Sequence, residues 1–270
     1  MKKVAMLLSL MLLLFDGMAQ DLEWQPLGKI TVNGLDQIAL DNRGNIFYAD
    51  KGGNVTKLDG MGKTLNQYSP QFQSKLNQLD AFFTVNIFMF SADLQQIVLL
   101  DVFLNPLSTF DLLQEDIGTI KAATMGNNHI FWLFDETDLS LVQFDFKRRI
   151  LLQDQPLATL LGSGPIEVLE ILERNNLVFM NIKNLGVFIF DNQGNYVNKV
   201  DHLFTQKLQV LNDHIFYVEG GLIHQVNIYD GKEHVYSIPD PQFDNIYVGT
   251  NKILFYSTSS IHLFGLPGFE

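Results

Sequence analysis

The chain has 270 residues, with 18 basic and 30 acidic side chains and a formal net charge of −12 at pH 7. A field of that sign repels phosphate backbones and anionic lipid surfaces, so the composition argues against nucleic acid as a partner. The sequence contains no cysteine, which excludes disulfides, thiolate metal sites, a cysteine nucleophile and a lipid anchor on an N-terminal cysteine.

Residues 1–19 have the pattern of a signal peptide. Lys2 and Lys3 precede the apolar run 4–15, and Ala19 ends a stretch of small residues of the kind that signal peptidase recognises. The run is too short to span a bilayer, and no later stretch approaches the length needed. We therefore expect an exported protein without a membrane-spanning helix, and its lack of cysteine favours a bacterial periplasm or outer-membrane association.

A short phrase recurs along the rest of the chain: an aliphatic residue, two variable residues, a bulky apolar residue and Asp. Six copies occur, the last with Gly in place of the acid, at residues 55–59, 107–111, 141–145, 187–191, 226–230 and 261–265. Each copy follows a short apolar run, and the runs recur with a period of about 41 residues, which is typical of propeller blades. Residues 20–270 are therefore predicted to form one all-β domain, a six-bladed β-propeller.

The apolar runs are predicted to be the second strand of each repeat. They are rich in β-branched and aromatic residues and too short for helices, and they lie at residues 46–48, 97–100, 130–134, 177–180, 215–218 and 253–256. Their lack of alternation is typical of strands buried on both faces. The recurring phrase is then the third strand, and its Asp is expected to bond its own downstream backbone and begin the turn into the outer strand.

The two ends of the chain predict how the ring closes. Only residues 265–270 follow Phe264, and Pro267 is among them, so the sixth repeat cannot build its own outer strand. Residues 27–32 precede the first repeat and echo residues 62–65, which follow its third strand. We expect the N-terminal segment to supply the missing strand of the last blade, since closure removes the exposed apolar faces of an open ring.

Residues 34–50 carry a family resemblance. Their sequence, GLDQIALDNRGNIFYAD, resembles the repeat of NHL-type six-bladed propellers, in which a glycine-led strand, an Asp-x-x-Gly-Asn turn and an apolar strand ending in Ala-Asp recur. As an architecture, the whole of residues 20–270 is similar to the NHL-like and TolB-like propeller superfamily. The resemblance implies the fold and leaves the function open, because such propellers include enzymes, peptide binders and scaffolds.

The carboxylates most suited to chemistry lie in residues 166–173, the predicted innermost strand of the fourth repeat. They are Glu167, Glu170 and Glu173. Sugar-lactonase-like propellers hold a metal with a Glu, Asn and Asp set near the channel, so the alternative hypothesis is a metal-dependent hydrolase with Glu167 or Glu170 as a ligand. The acids and amides near comparable strands share no repeated register: Asp36, Asp80, Asn86 and Asp244. We therefore favour a solvated channel wall, with no metal and no cofactor, and we expect glutamine at position 167 or 170 to leave stability unchanged.

The histidines do not predict a catalytic group. His129 and His214 both stand just before a predicted second strand, which indicates an equivalent turn position. His224 and His234 continue from His214 at intervals of ten residues, but the three fall on different strands. His202 has no recognisable partner, and no Gly-x-Ser-x-Gly phrase supports a nucleophile. No catalytic residue is assigned.

Aromatic residues outside the strand pattern offer a surface for binding. Nine lie in or near predicted connections: Trp24, Tyr68, Phe72, Phe82, Phe83, Phe103, Phe204, Phe243 and Phe269. If several of them gathered on one face, they would form a partner-binding patch. The leading hypothesis is a non-enzymatic binding or scaffold subunit of the bacterial cell envelope, whose partner is another envelope protein or a peptide.

Overall fold

A computed structural model describes residues 19–83, 85–162 and 164–269, so all but the last residue of the predicted signal peptide 1–19 lies outside the described residues. The described chain forms six four-stranded antiparallel sheets. Each sheet is one blade, and its first strand is the innermost. The predicted all-β, six-bladed propeller is confirmed.

Within a blade the strands follow one another outward from the central channel. The innermost strands are β2 (Gln37–Leu40), β6 (Gln78–Asp80), β10 (Ile120–Met125), β14 (Val168–Arg174), β18 (Gln209–Leu211) and β22 (Ile246–Val248). The second strands are β3 (Ile46–Ala49), β7 (Ile87–Ser91), β11 (Ile130–Asp135), β15 (Leu177–Ile182), β19 (His214–Glu219) and β23 (Lys252–Tyr256). The third strands are β4 (Val55–Leu58), β8 (Gln96–Leu100), β12 (Ser140–Asp145), β16 (Gly186–Asp191), β20 (Leu222–Asn227) and β24 (Ser260–Gly265). The outer strands are β5 (Thr64–Tyr68), β9 (Pro106–Asp111), β13 (Ile150–Pro156), β17 (Tyr196–Val200), β21 (Glu233–Ser237) and β1 (Pro26–Thr31).

Two short helical turns lie in connections between blades. A 3-10 turn spans Leu112–Gln114, and helix α1 spans Ala158–Leu161. In the part of the chain that the structure describes, no helix has the length and apolar character needed to cross a membrane.

The core consists of six apolar clusters, each between two neighbouring blades. Between the second and third blades, for example, the ring of Phe131 lies 5.7 Å from that of Phe88 and 5.2 Å from that of Phe110. A second strand therefore contributes side chains to two clusters, one on each face, which explains its lack of alternation. Trp132 and Phe179 lie on such strands and are only 2% and 1% exposed.

The N-terminal strand closes the ring as predicted. Strand β1 pairs antiparallel with β24, with Ile30 opposite Ile261. Ile30 is buried, and it packs so closely over Gly62 that a Cβ atom there would lie 2.6 Å from its Cγ1. The same segment also reaches the fifth blade, where the Gln20 N–H donates to the Val235 carbonyl at 2.9 Å. The N-terminus therefore joins two blades, and the glycine is required for the close approach.

The strand assignment of the second repeat was wrong by one strand. The run 97–100 belongs to the third strand β8, and the second strand is β7, while residues 107–111 belong to the outer strand β9. The error has a physical cause: Phe110 on β9 is buried between two blades. The outer strand therefore ends with the same bulky apolar residue and Asp that close a third strand elsewhere.

The predicted turn chemistry is confirmed at several aspartates. In the turn after β16, Asp191 Oδ1 accepts the N–H groups of Gln193 and Asn195 at 2.8 and 2.9 Å, and Oδ2 accepts the Asn195 side-chain amide at 3.0 Å. The same four-residue spacing from Asp to Asn recurs at Asp41, Asp50 and Asp101. In the fifth blade the strand ends earlier, and Asn227 takes over this role from Asp230 by accepting two backbone N–H groups.

Candidate functional site

The central channel is crossed by a buried ion pair between two blades that are not neighbours. Asp80 ends the innermost strand of the second blade, and Arg174 ends that of the fourth. The guanidinium donates to the carboxylate from both terminal nitrogens, at 2.8 Å from Nη1 to Oδ2 and 3.1 Å from Nη2 to Oδ1. Both side chains are buried. A bidentate pair of this kind fixes distance and orientation across the ring.

The groups around Arg174 stabilise its positive charge. Its guanidinium lies 4.3 Å from the centre of the Phe82 ring, a cation–π contact, and Nη1 also donates to the Glu173 carbonyl at 2.7 Å. Burial alone would lower the pKa of Arg174, but the charge of Asp80 and the hydrogen bonds to it outweigh burial, so the pKa lies above its ordinary value. The arginine therefore remains charged inside the ring.

A second charged pair, formed by Glu170 and Lys207, lies in the channel nearer its other end. Glu170 is buried; its Oε2 accepts the Leu208 backbone N–H at 2.7 Å, and its Oε1 lies 3.5 Å from Lys207 Nζ. The same ammonium donates to the Asn77 carbonyl at 2.5 Å and to Gln78 Oε1 at 2.9 Å. Lys207 thus links the fifth blade to the second, as Arg174 links the fourth to the second.

The space left inside the channel is small. Next to these two charged groups lies a cavity of about 70 Å³, also lined by Gln37, Tyr247 and Thr250. Pockets for cofactors and drug-sized ligands usually measure about 300 to 1,000 Å³. The cavity therefore has room for a few water molecules, and each of the charges beside it already has a partner in the protein.

The two candidate metal ligands lie in different surroundings. Glu167 precedes strand β14 and is 60% exposed, with Lys183 Nζ 2.7 Å from its Oε2. Glu170 is inside the channel and bound as described above. Within residues 19–83, 85–162 and 164–269, no group of three or more histidine, aspartate or glutamate side chains is arranged to hold a metal ion. The structure therefore buries Glu170 in the channel and leaves Glu167 exposed beside Lys183.

The third glutamate of this strand has a different role. Glu173 is buried, accepts Trp132 Nε1–H at 2.7 Å with Oε2, and accepts the side-chain amide of Asn127 at 3.0 Å with Oε1. Burial raises the pKa of Glu173, and the hydrogen bond from Trp132 counteracts only part of the increase. This carboxyl group joins the fourth blade to the third.

The fifth blade contains a polar and aromatic cluster that has no characteristic pattern in the sequence. Glu233 Oε1 accepts the Tyr217 hydroxyl at 2.8 Å and lies 2.7 Å from His224 Nδ1, while the His224 ring stacks on Tyr217 at 4.7 Å. The ring of His202 lies 4.6 Å from Tyr217 on another side. Burial raises the pKa of the Tyr217 hydroxyl, and the nearby carboxylate raises it further. His224 and Glu233 meet across the β20–β21 hairpin. The ten-residue spacing of the histidines gives no indication of this contact.

His129 and His214 occupy equivalent positions at the start of a second strand, as predicted. His214 is the first residue of β19, and its Nε2 lies 3.3 Å from Asn227 Nδ2. His129 stands just before β11, where its ring lies 5.6 Å from that of Phe146. Both residues therefore contact groups at the ends of their own blades.

The nine aromatic residues in connections do not form one patch. Phe204 is buried, while Trp24, Phe243 and Phe269 pack against the cluster between the fifth and sixth blades. Three others remain solvent-accessible: Phe72 (64% exposed), Phe82 (37%) and Phe103 (62%). Most of these rings therefore contribute to the core, because a propeller needs large apolar side chains wherever two blades meet.

The exposed aromatic residues fall on two different faces of the ring. Because neighbouring strands are antiparallel, the connections from the first to the second strand and from the third to the fourth leave each blade on the same face, which we call face 1. Phe82 and Phe103 lie in such connections of the second blade, and so does Val85, which is 73% exposed. Phe72 lies on the opposite face, face 2. Face 1 of the second blade therefore displays apolar side chains, and one of them, Phe82, lies beside Arg174 at this end of the channel.

No family model matches the sequence, and no curated protein matches it. Many solved structures do match the fold. A catalytically inactive virginiamycin B lyase from Staphylococcus aureus, solved with quinupristin, is 13% identical with a TM-score of 0.62, over 90% of this chain and 100% of that one. The β-propeller domain of Cps50 (Swd1) from Myceliophteria thermophila is 8% identical with a TM-score of 0.62, over 90% and 100%. The Pan2 WD40 domain of Neurospora crassa is 11% identical with a TM-score of 0.59, over 94% and 98%.

These similarities define the class of protein and nothing narrower. At such low identity they show the propeller fold alone, and the matched structures range from a lyase to WD40 domains. The chain is a six-bladed β-propeller.

Proposed function

We propose that this propeller is a non-enzymatic protein-binding or scaffold subunit of the bacterial cell envelope. Its partner would be another envelope protein or an exposed peptide of one. The proposal assigns no cofactor and no metal to the chain. A partner binds on the surface, and the side chains inside the channel join the blades to one another.

The observation that carries the proposal is the apolar surface on face 1 of the second blade. Phe82, Val85 and Phe103 are 37%, 73% and 62% exposed there, so the face 1 connections of this one blade expose three large apolar side chains. Aromatic residues are enriched at the centres of protein interfaces. Phe82 also contacts the Arg174 guanidinium, which favours a fixed position for its ring.

The arrangement of the channel favours binding over catalysis. The acids of the innermost strands are engaged: Asp80 by Arg174, and Glu170 by Lys207 and the Leu208 N–H. A catalytic or metal-binding carboxylate needs lone pairs directed at a substrate or an ion. Here the same lone pairs join one blade to another.

The location and the closer kinship belong to the same proposal. The signal-like residues 1–19 support export, and the absence of cysteine supports a bacterial envelope. An NHL-like origin is supported by the turn after β2, where Asp41 Oδ1 accepts the N–H groups of Arg43 and Asn45 at 3.0 and 2.8 Å, and Gly44 has a φ of 78°. This is the Asp-x-x-Gly-Asn turn of that repeat.

Photo-crosslinking in the host cell tests the proposal. A benzophenone amino acid at position 103 should give one dominant adduct with an envelope protein, and Phe103→Ser should weaken recovery of that protein about tenfold. The matched control is position 203, since Leu203 is 56% exposed on face 2. Equal adducts at 103 and 203, or none at 82, 85 and 103, would overturn the binding surface. One tightly bound metal ion per chain that is lost in Glu170→Gln would favour the hydrolase instead.

A further inference from the structure

A cavity of about 340 Å³ lies on the rim of the ring, between the fourth and fifth blades. Its walls come from β17 with the connection that follows it, and from the end of β20 with the turn into β21. Unlike the cavity in the channel, it falls within the range of about 300 to 1,000 Å³ that is usual for small-molecule sites. The rim between these two blades therefore has room for a small ligand.

Glu233 lines this cavity from the start of β21. Its Oε1 accepts the Tyr217 hydroxyl at 2.8 Å and lies 2.7 Å from His224 Nδ1, so one side of the carboxylate is fixed. Burial raises the pKa of Glu233, but the bonds from Tyr217 and His224 outweigh burial, and the pKa lies below its ordinary value. Among the described residues, Oε2 has no hydrogen-bond partner. Glu233 thus offers a charged acceptor held in one orientation.

His202 lines the same cavity from the connection that follows β17. Its ring lies 4.8 Å from that of Phe204 and 4.6 Å from that of Tyr217, so the imidazole is held by its faces. Within the part of the chain that the structure describes, neither ring nitrogen has a hydrogen-bond partner. A neutral imidazole offers one donor and one acceptor. Since His202 and Glu233 both contact Tyr217, their unused polar atoms lie at the same end of the cavity.

Most of the other charges around the cavity are paired. Lys199 Nζ lies 2.5 Å from Asp201 Oδ1, and Lys232 Nζ lies 2.9 Å from Asp230 Oδ2. Each pair contributes little net charge, but a carboxylate has more lone pairs than one ammonium uses. The lining is therefore rich in hydrogen-bond acceptors and low in net charge. That combination suits an uncharged ligand with several hydroxyl groups.

Tyr229 adds an exposed aromatic ring to this lining. It stands in the turn between β20 and β21 and is 59% exposed. Its backbone N–H donates to Asn227 Oδ1 at 2.9 Å, which fixes the turn that carries the ring. The face of an aromatic ring is apolar and carries partial negative charge, so it attracts the C–H groups on one side of a sugar ring. An aromatic ring beside fixed acceptors is an arrangement that recognises carbohydrate.

We propose that this rim cavity binds an uncharged saccharide, stacked on Tyr229 and hydrogen-bonded through its hydroxyl groups to Glu233 and His202. Hydroxyl groups donate short, strong hydrogen bonds to an ionised carboxylate. The acceptor is fixed before the ligand arrives, so little ordering accompanies binding. The site lies on the rim of the fourth and fifth blades and does not involve face 1 of the second blade, so it goes beyond the proposed function.

Titration of the purified protein with sugars, followed by ligand-observed NMR, tests the site. The probes are D-glucose, D-galactose, D-mannose and N-acetyl-D-glucosamine, and at least one of them should bind saturably. Tyr229→Ser and Glu233→Gln should each weaken that binding at least about tenfold. Both side chains are exposed, so the variants should fold. The matched control is Tyr196→Ser, since Tyr196 is 48% exposed on β17 and does not line the cavity.

Charged analogues of the same sugars test the class of ligand. N-acetyl-D-glucosamine should bind at least as tightly as D-glucosamine, and D-glucose at least as tightly as D-glucuronate. Tighter binding of either charged analogue would overturn the assignment to an uncharged saccharide. No saturable binding of any probe, or equal binding by the wild type, Tyr229→Ser and Glu233→Gln, would overturn the site itself. Phe103→Ser should leave sugar binding unchanged, which separates this result from that for the face 1 surface.

Discussion

Arg174 and Asp80 are 94 positions apart in the sequence, yet the guanidinium of one binds both carboxylate oxygens of the other inside the channel. The contact joins the second and fourth blades, which have another blade between them on the shorter path around the ring. Contacts along the ring hold each blade only to its neighbours, so a contact across the channel resists distortions that neighbour contacts permit. We interpret this ion pair as a structural clamp.

Replacing Asp80 should therefore be costly. Asp80→Asn leaves the buried charge of Arg174 without a counterion, and such a loss typically costs about 3 to 5 kcal/mol in the free energy of unfolding. Urea unfolding measures the change. The control is Glu136→Gln, which removes the exposed ion pair with Lys121 and should cost less than about 1 kcal/mol.

If Asp80→Asn fails to fold, a double variant keeps the prediction testable. Asp80→Leu with Arg174→Met replaces both charges by apolar groups, and this should recover most of the lost stability because no unpaired charge remains. A single variant as stable as the wild type would contradict the clamp.

Glu167 and Glu170 should respond differently to the same substitution. The sequence alone predicts that glutamine is silent at both positions, but Glu170 is buried against Lys207 and the Leu208 N–H, whereas Glu167 is 60% exposed. Glu170→Gln should reduce the free energy of unfolding by about 1 to 3 kcal/mol. Glu167→Gln should change it by less than about 0.5 kcal/mol. Paired urea titrations of the two variants measure the difference, and equal effects would contradict the assigned contacts.

The closing strand can be tested with two side chains of opposite exposure. Ile30 on β1 is 8% exposed and packs between the sixth and first blades, while Leu27 on the same strand is 52% exposed. Ile30→Ala should cost about 2 to 5 kcal/mol through the cavity it leaves. Leu27→Ala should cost less than about 0.5 kcal/mol. The difference between the two thermal midpoints measures how much β1 contributes to closure, and equal midpoints would contradict it.

The sequence predicts the structural features that recur in every blade and those that depend on neighbouring residues. The blade period, the buried second strands, the aspartate turns and the closing strand 27–32 all follow from patterns within one repeat or at the chain ends. The second repeat shows the limit of this approach: Phe110 is buried on an outer strand, so three successive segments of that blade resemble one another in apolar content. Nothing in the sequence shows which of the three is the second, the third or the outer strand.

The sites between blades could not be predicted in the same way. Arg174 finds Asp80 and Lys207 finds Gln78 because the ring brings distant inner strands together, and neither pair has a characteristic spacing. The sequence did indicate that residues 166–173 border the channel. It could not distinguish a carboxylate available to a ligand from one already bound by a neighbouring blade, because that depends on three-dimensional contacts alone.

Glu173 should make stability depend on pH in a direction opposite to that of most carboxylates. Its pKa is raised by burial, so the folded state favours the neutral acid. The stability that this group contributes is fully present below the pKa of the unfolded chain and is lost as the pH rises through the higher folded pKa. Glu173→Gln removes that loss. The free energy of unfolding of the variant, relative to the wild type, should therefore improve from about pH 4 to about pH 7.

Trp132→Phe provides the matched variant for this dependence. It removes the indole N–H that bonds Glu173 Oε2 at 2.7 Å and partly lowers the pKa of that carboxyl group. The pKa of Glu173 should therefore rise further, and the loss of stability between about pH 4 and pH 7 should become steeper than in the wild type. The packing cost of the smaller ring does not depend on pH, so it shifts the whole curve without changing its slope. Urea unfolding across this range measures all three proteins, and parallel curves would contradict a raised pKa at Glu173.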